Sequence, residues 1–200
     1  MRLGIDVSEH QAGLEIAGVD FAVLRTTDGT YQDRAFAGFM ASARANGVPV
    51  DAYHYLRAPS EGTSVAEQVD AALEVLAGAR LPMWLDVESP AGLSLDDVTD
   101  AHRHFRAAGI DVAGVYTTAA YWRRHMLLAD VGRFGRLWLA AWGDNPAVEW
   151  PPAGGPAQRP AVPGGGDWPR PLGMPEPAVW QFTSRGRLDG GEVDFNLARP

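Results

Sequence analysis

The sequence predicts an α/β fold: an irregular TIM-like barrel within a single domain. Short apolar runs alternate with amphipathic segments in the first half of the chain, which is typical of strand–helix units. The second half keeps the strand-like runs but lacks long amphipathic segments. We therefore expect a (β/α)5(β)3 arrangement, with about five strand–helix units and a few plain strands that close the barrel. With 200 residues, 46% of them hydrophobic, the chain can form one sizeable core.

The predicted elements follow from these patterns in chain order. Predicted strands cover residues 3–7, 20–25, 48–55, 82–88, 112–117, 136–141, 178–182 and 191–195. Predicted helices cover residues 32–46, 64–77, 94–108 and 119–128. The helix from Ser94 has the clearest boundaries, because Ser94 and Asp97 have the spacing of a capping box and Gly109 follows the last apolar position. In the helix from Ser64, the apolar residues recur along one stripe.

Residues 144–178 stand apart from this pattern as a Pro/Gly-rich insertion. They hold 10 of the 15 prolines. A stretch of this length without periodicity is typical of a functional loop or a disordered insertion. Because it lies between two predicted strands, we expect a loop that leaves the barrel and returns to it, within one domain that spans residues 1–200.

Composition excludes several classes of function. The absence of cysteine excludes disulfides, thiol catalysis and cysteine-bound zinc. The net charge of −8 argues against nucleic-acid binding and against electrostatic adhesion to an anionic wall. The apolar runs are too short to cross a bilayer, so we expect no membrane insertion. Met1 leads directly into the first predicted strand, and we expect no signal peptide.

Acidic residues stand at the ends of strand-like apolar runs. They are Asp6, Asp86, Glu88 and Asp194. In barrels of parallel strands, active sites are built at the rim where the strands end. Asp86 and Glu88 are two positions apart, so on a strand they point to the same side. The first and last strands of a closed barrel are neighbours, so Asp6 and Asp194 could converge with this pair.

Two carboxyl groups on one wall of a cleft suit the hydrolysis of a glycosidic bond. One protonates the leaving oxygen, and an anionic group supports the positive charge at the anomeric carbon. Repulsion lets one of two close carboxyls keep its proton near neutral pH. The alternatives are a helix cap, a surface salt bridge or a metal site, since hard cations prefer oxygen ligands. No motif typical of a metal site is present, so we expect no metal and no cofactor.

Aromatic residues near the strand ends are candidates for sugar contacts. They are Tyr53, Tyr55, Tyr116, Trp142 and Trp180, among which we favour Tyr53 and Tyr116. Each could instead pack in the core or at the rim. His54 follows Tyr53 on the opposite side of the strand, so we expect it to face the helices. Trp150 and Trp168 could also stack on sugars, but we favour a role in fixing the insertion to the barrel.

Several segments, in the same order along the chain, resemble the family 25 glycoside hydrolases, bacterial and phage lysozymes that cut peptidoglycan. These segments are Gly4-Ile5-Asp6-Val7-Ser8 with His10-Gln11, Asp28-Gly29 with Tyr31 and Asp33, Ala52-Tyr53-His54-Tyr55, Leu85-Asp86-Val87-Glu88, Val115-Tyr116-Thr117, Leu137-Trp138-Leu139-Ala140, Trp180-Gln181-Phe182-Thr183-Ser184 and Val193-Asp194-Phe195-Asn196. The resemblance covers nearly the whole chain. One segment departs from the family pattern: Arg25-Thr26-Thr27-Asp28-Gly29 stands where the family often has Lys-Ala-Ser/Thr-Glu-Gly.

The resemblance implies an irregular barrel of eight strands and about five helices. It also implies cleavage of the β-1,4 bond from N-acetylmuramic acid to N-acetylglucosamine. Glu88 would be the general acid, Asp86 would orient or stabilise the muramic acetamido group, and Asp6 and Asp194 would complete the acidic cleft. Attack by the acetamido group and attack by water opposite Glu88 both remain open.

The expected partner is cell-wall peptidoglycan, and the expected oligomeric state is a monomer. Peptidoglycan lies outside the membrane, whereas we expect no export signal in this chain. Two explanations are compatible with this: a phage-type endolysin that is released through a membrane pore, or a chain whose signal peptide has been removed. Two alternatives remain. The altered segment 25–29 favours a non-catalytic glycan-binding or phage structural module, and the Asp-x-Glu pattern is also compatible with a hydrolase of chitin-type polymers.

Overall fold

The computed structural model describes residues 1–127, 129–150 and 167–199. The strands are β1 Arg2–Val7, β2 Phe21–Asp28, β3 Tyr31–Gln32, β4 Val50–Tyr55, β5 Met83–Asp86, β6 Val112–Thr118, β7 Arg136–Ala140, β8 Val148–Trp150, β9 Val179–Leu188 and β10 Gly191–Ala198. The helices are α1 Phe36–Ala45, α2 Val65–Leu76, α3 Leu95–Ala107 and α4 Ala119–His125. No helix in these ranges is long and apolar enough to cross a bilayer.

Eight strands close into a barrel, in the order β1-β10-β9-β7-β6-β5-β4-β2, and β2 pairs with β1. β10 is antiparallel to both of its neighbours, whereas the other pairings in the barrel are parallel. The predicted TIM-like α/β barrel is therefore confirmed. The described residues contain four α-helices where about five units were expected, because only the 3-10 turn Glu9–Gln11 follows β1.

Strand alternation divides the interior into two cores. Inside the barrel, Trp138 lies against Trp84 and Tyr116, with ring centroids 5.7 and 4.6 Å apart. The neighbouring positions on the strands, such as Leu85, pack outward beneath the helices. Since side chains two positions apart share a side of a strand, the same alternation directs Asp86 into the barrel mouth, two residues after Trp84.

The capping box predicted for α3 is present. The amide of Asp97 donates to Ser94 Oγ at 3.2 Å, and the amide of Ser94 donates to Asp97 Oδ2 at 2.8 Å. The first predicted helix was placed too early. Tyr31–Gln32 turn back to pair with the end of β2, and Gly29 makes this turn possible with a φ of +58°.

The last two strands extend further than predicted and form a hairpin. Asp189 and Gly190 turn the chain at φ values of 48° and 84°, the left-handed conformation that tight hairpin turns require. The extension is polar, and its residues therefore lack a strong strand pattern. β8 pairs in parallel with the extended part of β9, so residues 144–178 contain a strand that the sequence analysis missed.

Trp150 and Trp168 fix the described parts of the insertion to the barrel. Trp150 is 7% exposed, and its indole N–H donates to the carbonyl of Gly18 at 2.9 Å. The ring of Trp168 lies 6.0 Å from that of Trp180. Residues 151–166 of the insertion lie outside the described residues.

Candidate active site

A cleft of about 220 Å³ opens at the carboxyl ends of the parallel strands. All the predicted acids line it: Asp6, Asp86, Glu88 and Asp194. The remaining lining residues are Val7, Ser8, His10, Gln11, Arg25, Tyr53, Tyr55, Tyr116, Trp138 and Gln181. Four carboxyl groups from three regions of the chain therefore meet in one small cleft, as the strand-end positions predicted.

Asp86 is almost fully buried but incompletely bonded. It is 6% exposed, and its Oδ1 has no hydrogen-bond partner among the described residues. Burial raises the pKa of Asp86 well above its ordinary value, and the nearby charges of Glu88 and Asp6 raise it further. A buried oxygen without a partner has a free-energy cost, so this atom is a natural contact for a bound ligand.

Glu88 follows the end of β5 and is half-buried in the cleft wall. Burial raises its pKa, and so does the charge of Asp6. No group in the described parts of the chain donates a hydrogen bond to its carboxyl. Glu88 can therefore retain a proton above the usual pH range of a glutamic acid and present it to the cleft.

Asp6 and Asp194 lie directly opposite each other on the antiparallel strands β1 and β10, a placement that repulsion makes unfavourable when both are ionised. Burial raises the pKa of Asp6 to about 6, although hydrogen bonds from Asn196 and Gln181 oppose the rise. Burial raises the pKa of Asp194 to about 8, and the charges of Asp6 and Glu88 add to it. The acids thus share protons near neutral pH.

Gln181 connects the acids to the aromatic wall, a role that the sequence analysis missed. Its Nε2 donates to Asp6 Oδ2 at 2.9 Å and to Asp194 Oδ2 at 3.1 Å. Its Oε1 accepts from the Tyr116 hydroxyl at 2.9 Å and from the Trp142 indole N–H at 2.9 Å. Because both ends of the amide are occupied, its orientation is fixed.

A second amide supports Asp6. Asn196 Nδ2 donates to Asp6 Oδ2 at 2.7 Å, and its Oδ1 accepts from the Trp138 indole at 2.7 Å. Asn196 lies two positions after Asp194 and therefore on the same side of β10. This spacing from Asp194 is the sequence pattern that could have identified Asn196 as a residue of the site. For Gln181, the corresponding pattern is its position between two outward-facing aromatic residues.

The predicted sugar-contact residues divide into two groups. Tyr53 and Tyr116 line the cleft, and Trp142, which is 39% exposed, lies beside it through its bond to Gln181. Trp180 does not reach the cleft. It is 5% exposed in the outer core, and its indole donates to the carbonyl of Ala141 at 2.7 Å. Strand alternation gives the inward position to its neighbour Gln181.

His54 faces the helices, as predicted. Its ring lies 5.8 Å from that of Phe105 in α3, and its Nδ1 is 2.6 Å from Thr27 Oγ1. Burial lowers the pKa of His54 to about 4, which keeps the ring neutral at physiological pH. This histidine supports the rear of β4 and does not line the cleft.

The segment 25–29 forms ion pairs beside the cleft. Arg25 Nε lies 2.8 Å from Asp33 Oδ2. Asp28 accepts two hydrogen bonds from Arg57, at 2.5 and 2.9 Å, and the Arg57 guanidinium stacks over Tyr55 at 4.7 Å from the ring centroid. The shorter acid at position 28 thus has a partner of its own, and this pair supports a tyrosine that lines the cleft.

The acids do not form a recognisable metal site. In residues 1–127, 129–150 and 167–199, no group of three or more histidine or acidic side chains is arranged to hold a metal ion.

The family model described as glycosyl hydrolases family 25 matches residues 5–191. The chain belongs to this family. Asp6, Asp86 and Glu88 lie within the match, and Asp194 lies just beyond it. A curated relative, the autolytic lysozyme of Clostridium acetobutylicum, is 30% identical over 152 residues, which cover 70% of this chain and 45% of the relative. The chain thus spans about half the length of that relative.

Solved structures of similar fold cover the whole chain. A glycosyl hydrolase 25 of Streptococcus pneumoniae, described as a virulence factor that participates in host cell invasion, has a TM-score of 0.72 at 20% identity and is covered over 87% of its length. A family 25 lysozyme from Aspergillus fumigatus has a TM-score of 0.69 at 23% identity and is covered over 94%. At these identities, the structures support the fold alone.

Proposed function

We propose that this protein is a peptidoglycan hydrolase of the lysozyme type. Its reaction would be hydrolysis of the β-1,4 bond from N-acetylmuramic acid to N-acetylglucosamine, at the cell wall and as a monomer. The observation that carries the proposal is the convergence of four carboxyl groups in a single cleft. One of them has a buried oxygen without a hydrogen-bond partner in the described parts of the chain. Family membership and the similarity to an autolytic lysozyme support it.

Glu88 is the proposed general acid. Its half-buried carboxyl faces the cleft, and burial raises its pKa. Such a group can hold a proton until the glycosidic oxygen arrives. As the bond between the anomeric carbon and that oxygen breaks, the proton moves from Glu88 to the leaving oxygen.

Asp86 is the proposed partner of the sugar's acetamido group. Its free Oδ1 can accept the acetamido N–H and so complete its hydrogen bonding. This contact would turn the acetamido oxygen towards the anomeric carbon. If that oxygen attacks, a cyclic intermediate forms and water opens it in a second step. If water attacks directly from the side opposite Glu88, ionised Asp86 supports the positive charge of the transition state. A proton on Glu88 favours this ionised form, because it removes the neighbouring charge that raises the pKa of Asp86.

Asp6 and Asp194, which hold one proton between them near neutral pH, are proposed to contribute one negative charge near the reacting carbon. Gln181 keeps both in place through its Nε2, so their charge is oriented before the substrate arrives. Tyr53, Tyr116 and Trp142 are the proposed sugar contacts. Trp142 offers a partly exposed ring, while its indole N–H is already bonded to Gln181.

Mass spectrometry of purified peptidoglycan after digestion tests this proposal. Wild type, Glu88→Gln and a control, Glu74→Gln, are compared. Glu74 lies on α2, and its carboxylate bonds Gln32 at an exposed position. We expect fragments with reducing-end muramic acid from wild type and the control, and none from Glu88→Gln.

The other outcomes distinguish the alternatives. Reducing-end glucosamine would place the cleavage at the other bond of the glycan. Faster release of fragments from chitin oligomers than from peptidoglycan would indicate a chitin-type hydrolase. No fragments from wild type on several wall preparations would indicate a non-catalytic glycan-binding barrel.

A further inference from the structure

A second cavity lies at the opposite end of the barrel, where the parallel strands begin. This basal cavity has a volume of about 300 Å³. Its charged and aromatic lining side chains include Arg2, Phe21, Asp51, Trp84 and Arg136. It is separated from the cleft by the aromatic layer that contains Trp84 and Trp138, and nothing in the proposed hydrolysis uses it.

Arginine side chains lie over the aromatic rings of the basal cavity. The guanidinium of Arg136 is 5.1 Å from the Trp84 ring centroid, and that of Arg2 is 5.4 Å from the Phe21 centroid. Among the described residues, no carboxylate oxygen lies within 4 Å of either guanidinium. The polar contact of Arg136 is a long one, 3.5 Å to the carbonyl of Ala113. Within the described parts of the chain, most of the N–H donors of Arg2 and Arg136 are therefore free to bind a ligand.

The acid of the basal cavity does not neutralise both arginines. Asp51 is partly buried, and its Oδ2 accepts the indole N–H of Trp84 at 2.9 Å. A third arginine of the lining, Arg199, is ion-paired with Glu176. Arg2 and Arg136 together outnumber Asp51 by one charge among the lining side chains, although the chain as a whole has a net charge of −8.

We infer that the basal cavity binds the phosphate group of an organic phosphate between Arg2 and Arg136. Guanidinium groups present paired N–H donors that match phosphate oxygens. The cavity is larger than one phosphate needs, and its floor of Trp84, Val23 and Val179 can contact the carbon skeleton of the ligand. The ligand source is either a soluble phosphomonoester or a phosphodiester polymer, and both share this chemistry.

Calorimetric titration with glycerol phosphate, at constant ionic strength, tests the inference. Wild type should show saturable binding at one site. Arg2→Gln and Arg136→Gln should each weaken binding about tenfold or more, because each removes charge-assisted hydrogen bonds. Asp51→Asn should tighten binding, since it removes a negative charge but keeps an acceptor for Trp84. Arg133→Gln is the matched control: Arg133 stacks over Phe134 at 5.3 Å, outside the basal cavity.

Further titrations identify the source of the phosphate ligand and define the results that would overturn the inference. Tighter binding of poly(glycerol phosphate) per phosphate would indicate a phosphodiester polymer, and tighter binding of glycerol phosphate a soluble monoester. No saturable binding, equal binding of acetate, or equal affinity in Arg136→Gln and wild type would overturn the inference. Glu88→Gln should bind glycerol phosphate as wild type does, so this result is independent of the proposed hydrolysis.

Discussion

The two ends of this barrel are built from the same strands but differ in how their polar groups are paired. β5 contributes Trp84 to the aromatic layer and Asp86 to the cleft, two residues apart. β1 likewise places Arg2 at the basal cavity and Asp6 in the cleft. The alternation of the strand therefore decides which side chains face the interior. Their position along the strand decides whether they pack or remain available to a ligand.

The electrostatic contrast between the ends is equally clear. Asp51 in the basal cavity receives an indole N–H and lies near arginines, and these oppose the rise in its pKa that burial causes. Asp86 in the cleft has no donor for Oδ1 among the described residues, and the acids that it faces increase the rise in its pKa. Burial of like charges without partners reduces stability, and such costs are typical of functional sites.

The strongest test of the contrast between the two ends of the barrel is to replace an aspartate with asparagine at each end. Asp86→Asn should lower the rate of peptidoglycan hydrolysis about a thousandfold, as expected for the loss of a group that stabilises transition-state charge. Asp51→Asn should leave hydrolysis near the wild-type rate. Release of soluble fragments measures both, and circular dichroism confirms that both variants fold. Equal loss in both variants would remove the functional distinction between the ends.

Gln181→Glu tests whether amide donors organise the acids of the cleft. Glutamate keeps an acceptor for Tyr116 and Trp142 but cannot donate to Asp6 or Asp194 when ionised. We expect about a hundredfold lower kcat, as for misplaced catalytic groups, and a shifted pH–rate profile. Tyr116→Phe leaves both donors of Gln181 in place and should cost much less. An unchanged profile in Gln181→Glu would show that Gln181 is merely structural.

Asp194→Asn should stabilise the protein at alkaline pH while it reduces activity. The pKa of Asp194 is about 8 in the folded state, above its ordinary value of 3.8. The contribution of protonated Asp194 to the free energy of unfolding is therefore fully present below pH 4 and is lost as the pH rises through 8. The neutral asparagine avoids this loss.

At pH 9, the free energy of unfolding of Asp194→Asn should exceed that of wild type by about 1–3 kcal/mol, given about 1.4 kcal/mol for each pKa unit and proton sharing with the neighbouring acids. At pH 4, the two should be equal. Thermal unfolding at both pH values measures the difference. Equal curves at pH 9 would mean that Asp194 ionises without cost.

Arg136→Gln should have the smallest effect. It removes a guanidinium stacked on Trp84, which contributes about 0.5–1 kcal/mol at an exposed position. Hydrolysis should be unchanged. Urea unfolding and fragment release give the two values, and a large loss of hydrolysis would show that the ends are coupled through the aromatic layer.

The sequence was sufficient to predict the barrel and its acids because each acid follows an apolar run in its own strand. It was not sufficient where the outcome depends on the pairing of distant segments. Gln181 joins acids from β1 and β10, and Asp28 meets Arg57 in the next strand–helix unit. The choice between Trp180 and Gln181 required the inward side of β9 to be known. β8 and the polar end of β9 have no strong pattern of their own and are defined by their pairing.

The most direct test of the central claim, that Glu88 donates the proton, compares two leaving groups. Glu88→Gln is measured on peptidoglycan and on an aryl glycoside of its disaccharide, whose phenolate leaves without protonation. We predict a loss of at least about a hundredfold on peptidoglycan and a much smaller loss on the aryl glycoside. Asp86→Asn, in contrast, should be impaired on both. An equal loss of Glu88→Gln on both substrates would contradict the assignment of Glu88 as the general acid.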